Sequence, residues 1–182
     1  MTHELQFREP TLKDAGRLAD LGRDTFIETF GHHYRPQDLE CYLSEKYTPE
    51  AIIRELENPA LCYQVAGQDD FLVAFAKIGP LDLHVDSPLP KAGEIKQLYV
   101  RETFTGKGVG KHLMSWAMSQ LKLAGLENLY LSVFSENYRA IRFYQNYGFK
   151  KHSEYHYPVG EHLDLEWIMH LHLDPSIFGP EL

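Results

Sequence analysis

The sequence predicts one mixed α/β domain, and three observations carry that reading. The chain has 182 residues, 43% of them hydrophobic and 24% charged, which suits a globular domain with one sizeable core. Seven short segments are rich in the β-branched and aromatic residues that favour strands. Five further stretches repeat their apolar residues at helical spacing.

In chain order, Leu5 and Phe7 alternate with polar neighbours over residues 5–9, a first strand. Thr11-Leu12-Lys13-Asp14 has the form of a capping box, and Leu18, Leu21 and Phe26 continue behind it on one helical face. Residues 36–44 and 49–57 read as two short helices, the second capped by Thr48 with Pro49 at its first position. Residues 61–66 and 71–78 flank Gly67-Gln68-Asp69-Asp70, a hairpin signal. The proline-containing stretch 79–93 reads as a surface loop, and 94–100 as a strand. A helix over 109–123 carries Leu113, Trp116, Ala117 and Leu121 on one side, and Gly125 stops it. Residues 129–134 are a strand, 137–147 a helix ended at Gly148, and 149–155 and 164–171 two last strands. The organisation expected is helices first, an antiparallel meander, then two βα units, without repeat or linker, so that residues 1–182 form a single domain.

The net charge is −8 and unevenly spread. Residues 1–60 hold twelve Asp/Glu against seven Lys/Arg, whereas Lys96, Arg101, Lys107 and Lys111 cluster around a single acid, Glu102. An acidic chain with one basic loop is poorly built to hold a nucleic-acid backbone, and nucleic acid is excluded as a partner. The loop suits a small anionic group instead. No run approaches the roughly 18 apolar residues of a membrane helix, and residues 1–8 carry no apolar export signal, so a cytoplasmic location is expected. Cys41 and Cys62 are expected as buried thiols. Ten histidines occur without a His-Glu-x-x-His pattern or a neighbouring cysteine, so no metal is expected.

The most informative stretch is the strand 94–100 followed by Thr105-Gly106-Lys107-Gly108-Val109-Gly110 at a helix start. Glycines let the backbone turn tightly and approach a ligand, and the helix N-terminus presents unpaired N–H groups to an anion. Each charge-assisted hydrogen bond there contributes about 1.5–3 kcal/mol, so several outweigh any single side chain. A Walker A loop is excluded because Gly110-Lys111 is followed by His112, and Thr105 stands where its first glycine belongs. The glycine spacing is also wrong for a dinucleotide fingerprint.

About thirty residues on, Asn137-Tyr-Arg-Ala140-Ile-Arg-Phe143-Tyr144 is followed by Gly148-Phe149. The two segments together resemble the GCN5-related N-acetyltransferases, the GNAT superfamily. Its acetyl-CoA loop reads Gln/Arg-x-x-Gly-x-Gly/Ala and its later helix Asn-x-x-Ala-x-x-Phe-Tyr. Gly108 and Gly110 fit the first pattern, whereas Thr105 replaces the usual Arg or Gln. Within the superfamily the chain resembles the bacterial PaiA-type spermidine/spermine N-acetyltransferases, through Asp38-Leu39, Tyr42-Leu43, Asn58-Pro59, Leu98-Tyr99-Val100 and Val159-Gly160. The resemblance implies a mostly antiparallel mixed sheet of six to seven strands flanked by helices and splayed between the fourth and fifth strands.

The activity implied is acetyl transfer from acetyl-CoA to a primary amine. The amine must be neutral to attack, the thioester carbonyl polarised, and the departing thiolate protonated. Tyr144 is the candidate general acid and Glu94 the candidate base. The backbone of Leu98, Tyr99 and Val100 is expected to pair with pantetheine, with Thr105, Gly106, Lys107, Gly108, Val109, Gly110 and Lys111 around the pyrophosphate and Asn137 nearby. Asp24 and Glu28 lie four apart on one helix face, where a bound cation would relieve their repulsion. They are the candidate acceptor residues, and a polyamine the expected acceptor. Another small amine, a protein N-terminus, or a non-catalytic acetyl-CoA sensor are the alternatives. The assembly is open, a homodimer included.

Overall fold

The computed structural model describes residues 4–68 and 70–173. Its seven strands are β1 (Gln6–Arg8), β2 (Cys62–Gln68), β3 (Phe71–Pro80), β4 (Ala92–Val100), β5 (Asn128–Phe134), β6 (Lys150–Val159) and β7 (His162–His172). They form one sheet in the order β1-β2-β3-β4-β5-β7-β6. Five helices accompany them: α1 (Ala15–Phe30), α2 (Pro36–Lys46), α3 (Pro49–Leu56), α4 (Val109–Leu123) and α5 (Tyr138–Asn146).

Local chemistry accounts for most of the boundaries. The box at Thr11 forms: the Asp14 carboxylate accepts from the Thr11 N–H at 2.8 Å, and Arg8 of β1 clamps it with two 2.8 Å contacts. It closes a single 3-10 turn, so α1 begins at Ala15, later than the cap suggested. Thr48 caps α3 by accepting from the Ala51 N–H at 3.1 Å. β3 reads Leu-Val-Ala-Phe-Ala-Lys-Ile and is buried throughout from Leu72 to Ile78. A strand covered on both faces needs such an unbroken run, and β3 lies between α1 on one side and α4 on the other.

The sequence reading left the order of the last strands open: β7 inserts between β5 and β6 and pairs antiparallel with both. One feature differs from that reading. Both cysteines are exposed free thiols. On β2 the alternation turns Tyr63 inward and Cys62 outward, and Cys41 lies on the face of α2 away from the buried Leu43.

β4 and β5 are the only parallel neighbours described, and they pair at just three positions, Ala92–Glu94 with Asn128–Tyr130. Register also slips between β3 and β4: Lys77 faces Gln97 and Ile78 faces Ile95, leaving Lys96 as an extra residue. Such a bulge bends its strand and increases the local twist. Past it β4 stays with β3 and leaves β5, so the sheet splays between its fourth and fifth strands, as the resemblance implied. Among the described residues no helix is long and apolar enough to cross a membrane.

Candidate active site

The splay opens a cavity of about 850 Å³. One arm runs between the far half of β4, the loop before α4, and α5; the other runs between α1, α2 and the ends of β5, β6 and β7. Leu98, Tyr99 and Val100 pair with β3 on one edge only, so their other edge faces the cavity.

The glycine loop lines the first arm through Thr105, Gly106, Gly108, Gly110 and Lys111. Gly106 and Gly108 adopt φ +76° and +86°, and a Cβ at either would meet nothing within 4 Å. No side chain caps α4, and its first N–H groups have no carbonyl within the helix to meet. The Thr105 hydroxyl donates to the Glu102 carbonyl at 2.6 Å and is used inside the loop. Lys107 points elsewhere, its ammonium 4.9 Å from the centre of the Phe104 ring, and Val109 packs into the core. At these three positions the side chains are engaged within the loop and the core, which leaves the backbone to meet a ligand.

The positive charge comes partly from residues the motif did not single out. Arg139 and Arg142 of α5 line this arm with Lys111, and none of the three has an ion-pair partner among the described residues. Their i and i+3 spacing on a helix facing the loop was a readable signal. Asn137 also lines the cavity, but its side-chain oxygen accepts from the Ala140 N–H at 3.1 Å. It is the helix cap, with its amide NH₂ left for a ligand.

Tyr144 stands where the arms meet. It is 8% exposed, packs edge-on against Phe143 and Phe149, and its hydroxyl has no hydrogen-bond partner among the described residues. Burial pushes the phenol well above its ordinary value, so it keeps its proton at neutral pH.

Glu94 lines the cavity too, yet its Oε2 is already engaged. It accepts from the Asp82 N–H at 2.8 Å and lies 3.1 Å from the Lys96 ammonium. Asp24 and Glu28 are absent from the cavity wall. Asp24 pairs with Arg101 at 2.8 Å, and Glu28 accepts from the Glu102 N–H at 3.1 Å. The repulsion between them is relieved from within the chain, and their assignment to the acceptor is corrected.

The acids of the second arm instead sit on β7. Asp164 is buried, accepts from the Tyr34 hydroxyl, and has His162 Nε2 3.2 Å from its Oδ1. Glu166 accepts from the Ser132 hydroxyl at 2.6 Å, and Ser132 is 3.1 Å from the Tyr155 hydroxyl. Burial pushes the Glu166 carboxyl up to about 7; the Ser132 bond holds it back and the Asp164 charge adds to the rise. Phe26, Phe30, Tyr34, Tyr42, Tyr157 and Phe134 complete the wall. Sequence reasoning gave these residues no site role because β7 reads only as a strand with alternating acids, and its neighbours come from α1, α2, β5, β6 and the segment before α2.

The turn joining β6 to β7 holds α2 over this arm. Asp38 Oδ1 accepts from the Glu161 N–H at 3.0 Å, and Arg35 bridges Asp38 and Glu161 at 2.7 and 2.6 Å. Gly160 lies beneath at φ +59°, where a Cβ would stand 2.3 Å from Asp38 Oδ1. Gly160→Ala should therefore displace α2 with Tyr42, raising KM for the amine several-fold with acetyl-CoA affinity unchanged. Steady-state kinetics in each substrate checks this; an unaltered amine KM would show that the turn positions nothing.

Residues 23–149 match the acetyltransferase (GNAT) family. The chain belongs to that family. It is 26% identical over 149 residues to the spermidine N(1)-acetyltransferase of Thermoplasma acidophilum, covering 80% of this chain and 88% of the relative. It is 24% identical over 157 residues to an N-acetyltransferase encoded beside pepI in Lactobacillus delbrueckii subsp. lactis, covering 86% and 91%. The PaiA N-acetyltransferase of T. acidophilum, solved in complex with coenzyme A, superposes with a TM-score of 0.75 at 22% identity, over 93% of this chain and 99% of that one. The protein is thus a GNAT N-acetyltransferase with acetyl-CoA as co-substrate. Among the described residues no three His, Cys, Asp or Glu side chains are grouped to hold a metal ion.

Proposed function

We propose that this acetyltransferase acts on a small polyamine such as spermidine or spermine. The observation that carries the reading is the polarity of the cavity. Lys111, Arg139 and Arg142 line the arm beside the glycine loop, where an anionic nucleotide moiety fits. Asp164 and Glu166 line the other arm among aromatic rings, where an alkylammonium fits. Two carboxylates in one arm suit an acceptor with more than one positive charge, and the similarity to a spermidine acetyltransferase points the same way.

In this reading the N–H groups of Gly106 to Lys111 hold the pyrophosphate, and the free edge of Leu98 to Val100 pairs with pantetheine. Tyr144 meets the thioester sulfur and protonates it as the C–S bond breaks. Glu94, tied to Lys96, fixes the bulge that opens the cleft.

A panel of amines assayed with acetyl-CoA and free-thiol detection tests the acceptor. Spermidine and spermine should be the best substrates, and kcat/KM should fall as salt rises, because exposed charges are screened beyond about 10 Å at 0.1 M. Robust turnover of a neutral-bodied amine, with none of either polyamine, would exclude the polyamine and leave the acetyltransferase intact.

A further inference from the structure

We infer that Glu166, rather than Glu94, takes the proton from the incoming ammonium, with Ser132 and Tyr155 holding its carboxylate in place. The inference rests on the reading of the second arm as the acceptor site, and it assigns the step that makes the amine nucleophilic.

Glu94 has the weaker geometry for the task. Its Oε2 serves a backbone N–H and an ammonium at once. Its Oε1 is open among the described residues, but the carboxylate already has an ammonium partner in Lys96, which also pairs with Asp82 at 2.6 Å. Glu166 has one oxygen engaged by a neutral hydroxyl and the other without a hydrogen-bond partner among the described residues. The donors run in one direction: the Tyr155 hydroxyl donates to Ser132 Oγ, which donates to Glu166 Oε2. Oε1 is therefore left to receive a proton.

The strand register explains why the three meet. Glu166 faces Tyr155 across the β6–β7 pair. It also faces Phe134 across β5–β7, which puts Ser132 on its diagonal, two residues back on the same sheet face. The charged and titratable groups around Glu166 come from every neighbouring element. Asp164 is on β7 with His162 beside it, Tyr155 and Tyr157 are on β6, and Tyr144 is on α5. Tyr99 and the Glu94–Lys96 pair lie across on β4, and Tyr34 reaches Asp164 from the segment before α2. No cation pairs with Glu166 among the described residues, so an alkylammonium would be its first. The Glu166 charge also raises the Tyr144 phenol, which places the two groups within electrostatic reach.

The step balances as follows. The Glu166 carboxylate takes one proton from R–NH₃⁺, giving R–NH₂ and a carboxylic acid. The nitrogen lone pair forms the C–N bond at the thioester carbonyl carbon, and the C–S bond breaks. The thiolate takes the Tyr144 proton, and the resulting phenolate takes the second proton from nitrogen. Glu166 then releases its proton to solvent, for a net yield of amide, thiol and H⁺.

The test is the pH profile of kcat/KM on the best amine of the panel. With Glu166 as acceptor, kcat/KM should rise to a break near 7, where the carboxyl ionises, and then level off. In Glu166→Gln it should be about 100-fold lower at pH 7, climb without that break, and approach the wild-type value near pH 10, where solution supplies neutral amine. Glu166→Asp should retain a break. Ser132→Ala, which removes the bond that holds the carboxyl down, should move the break upward. Acetyl-CoA should still raise the melting temperature of every variant. A Glu166→Gln profile that keeps the break, or runs parallel to wild type at every pH, overturns the inference, as does loss of the break in Glu94→Gln alone. No turnover of any amine by the wild type would overturn the acceptor reading and this inference together.

Discussion

Tyr144→Phe should lower turnover about 10²–10⁴-fold, the usual worth of a positioned general acid, and leave acetyl-CoA affinity nearly unchanged. The ring is held by Phe143 and Phe149 in the core beneath α5, and Phe keeps every one of those contacts. Only the hydroxyl goes, and it takes part in no hydrogen bond among the described residues, so folding should not suffer. A phenol raised by burial is a weak acid in the ground state. The same dry surroundings raise a thiol as well, so the departing thiolate remains basic enough to draw the proton as it forms. Single-turnover kinetics at saturating acetyl-CoA isolates the chemical step. Unchanged turnover there would reduce Tyr144 to packing.

Gly108→Val should abolish acetyl-CoA binding. Two effects act together. At φ +86° a residue with a Cβ is strained by about 1–2 kcal/mol, and a β-branched side chain would project into open space beside the first N–H groups of α4. If the pyrophosphate lies there, each hydrogen bond lost removes about 1.5–3 kcal/mol. Ligand at about 100 times Kd stabilises a native state by about 2.7 kcal/mol, so the melting-temperature shift with acetyl-CoA is a sensitive readout. The variant should stay folded and show none. A normal shift in the variant would remove the loop from the cofactor site.

The sequence made the glycine-loop arm of the cavity legible and left the second arm dark. Gly106, Gly108, Gly110, Asn137 and Tyr144 lie within two local segments, each a strand or loop running into a helix. Glycine spacing, a cap and an aromatic pair are short-range signals that survive in one dimension. Arg139 and Arg142 were equally local but fell at the variable positions of the motif. Asp24 and Glu28 misled because i, i+4 spacing shows which acids share a helix face but not what that face meets. Arg101 met it, from 77 residues away in sequence. Glu166, Ser132 and Tyr155 come together only through the pairing of β5, β6 and β7, and no periodicity announces such a pairing.

The sequence by itself determined the element types, nearly all their centres, the glycine loop and the position of the tyrosine beside it. These follow from hydrophobic period, capping and backbone permissiveness, which act over a few residues. Only the tertiary structure decided that β7 inserts between β5 and β6, that both cysteines face outward, and that Glu166, Ser132 and Tyr155 meet in the second arm of the cavity. Those outcomes depend on which edge each strand finds and which charge each carboxylate meets across the sheet, and such partners are chosen by packing at long sequence separation.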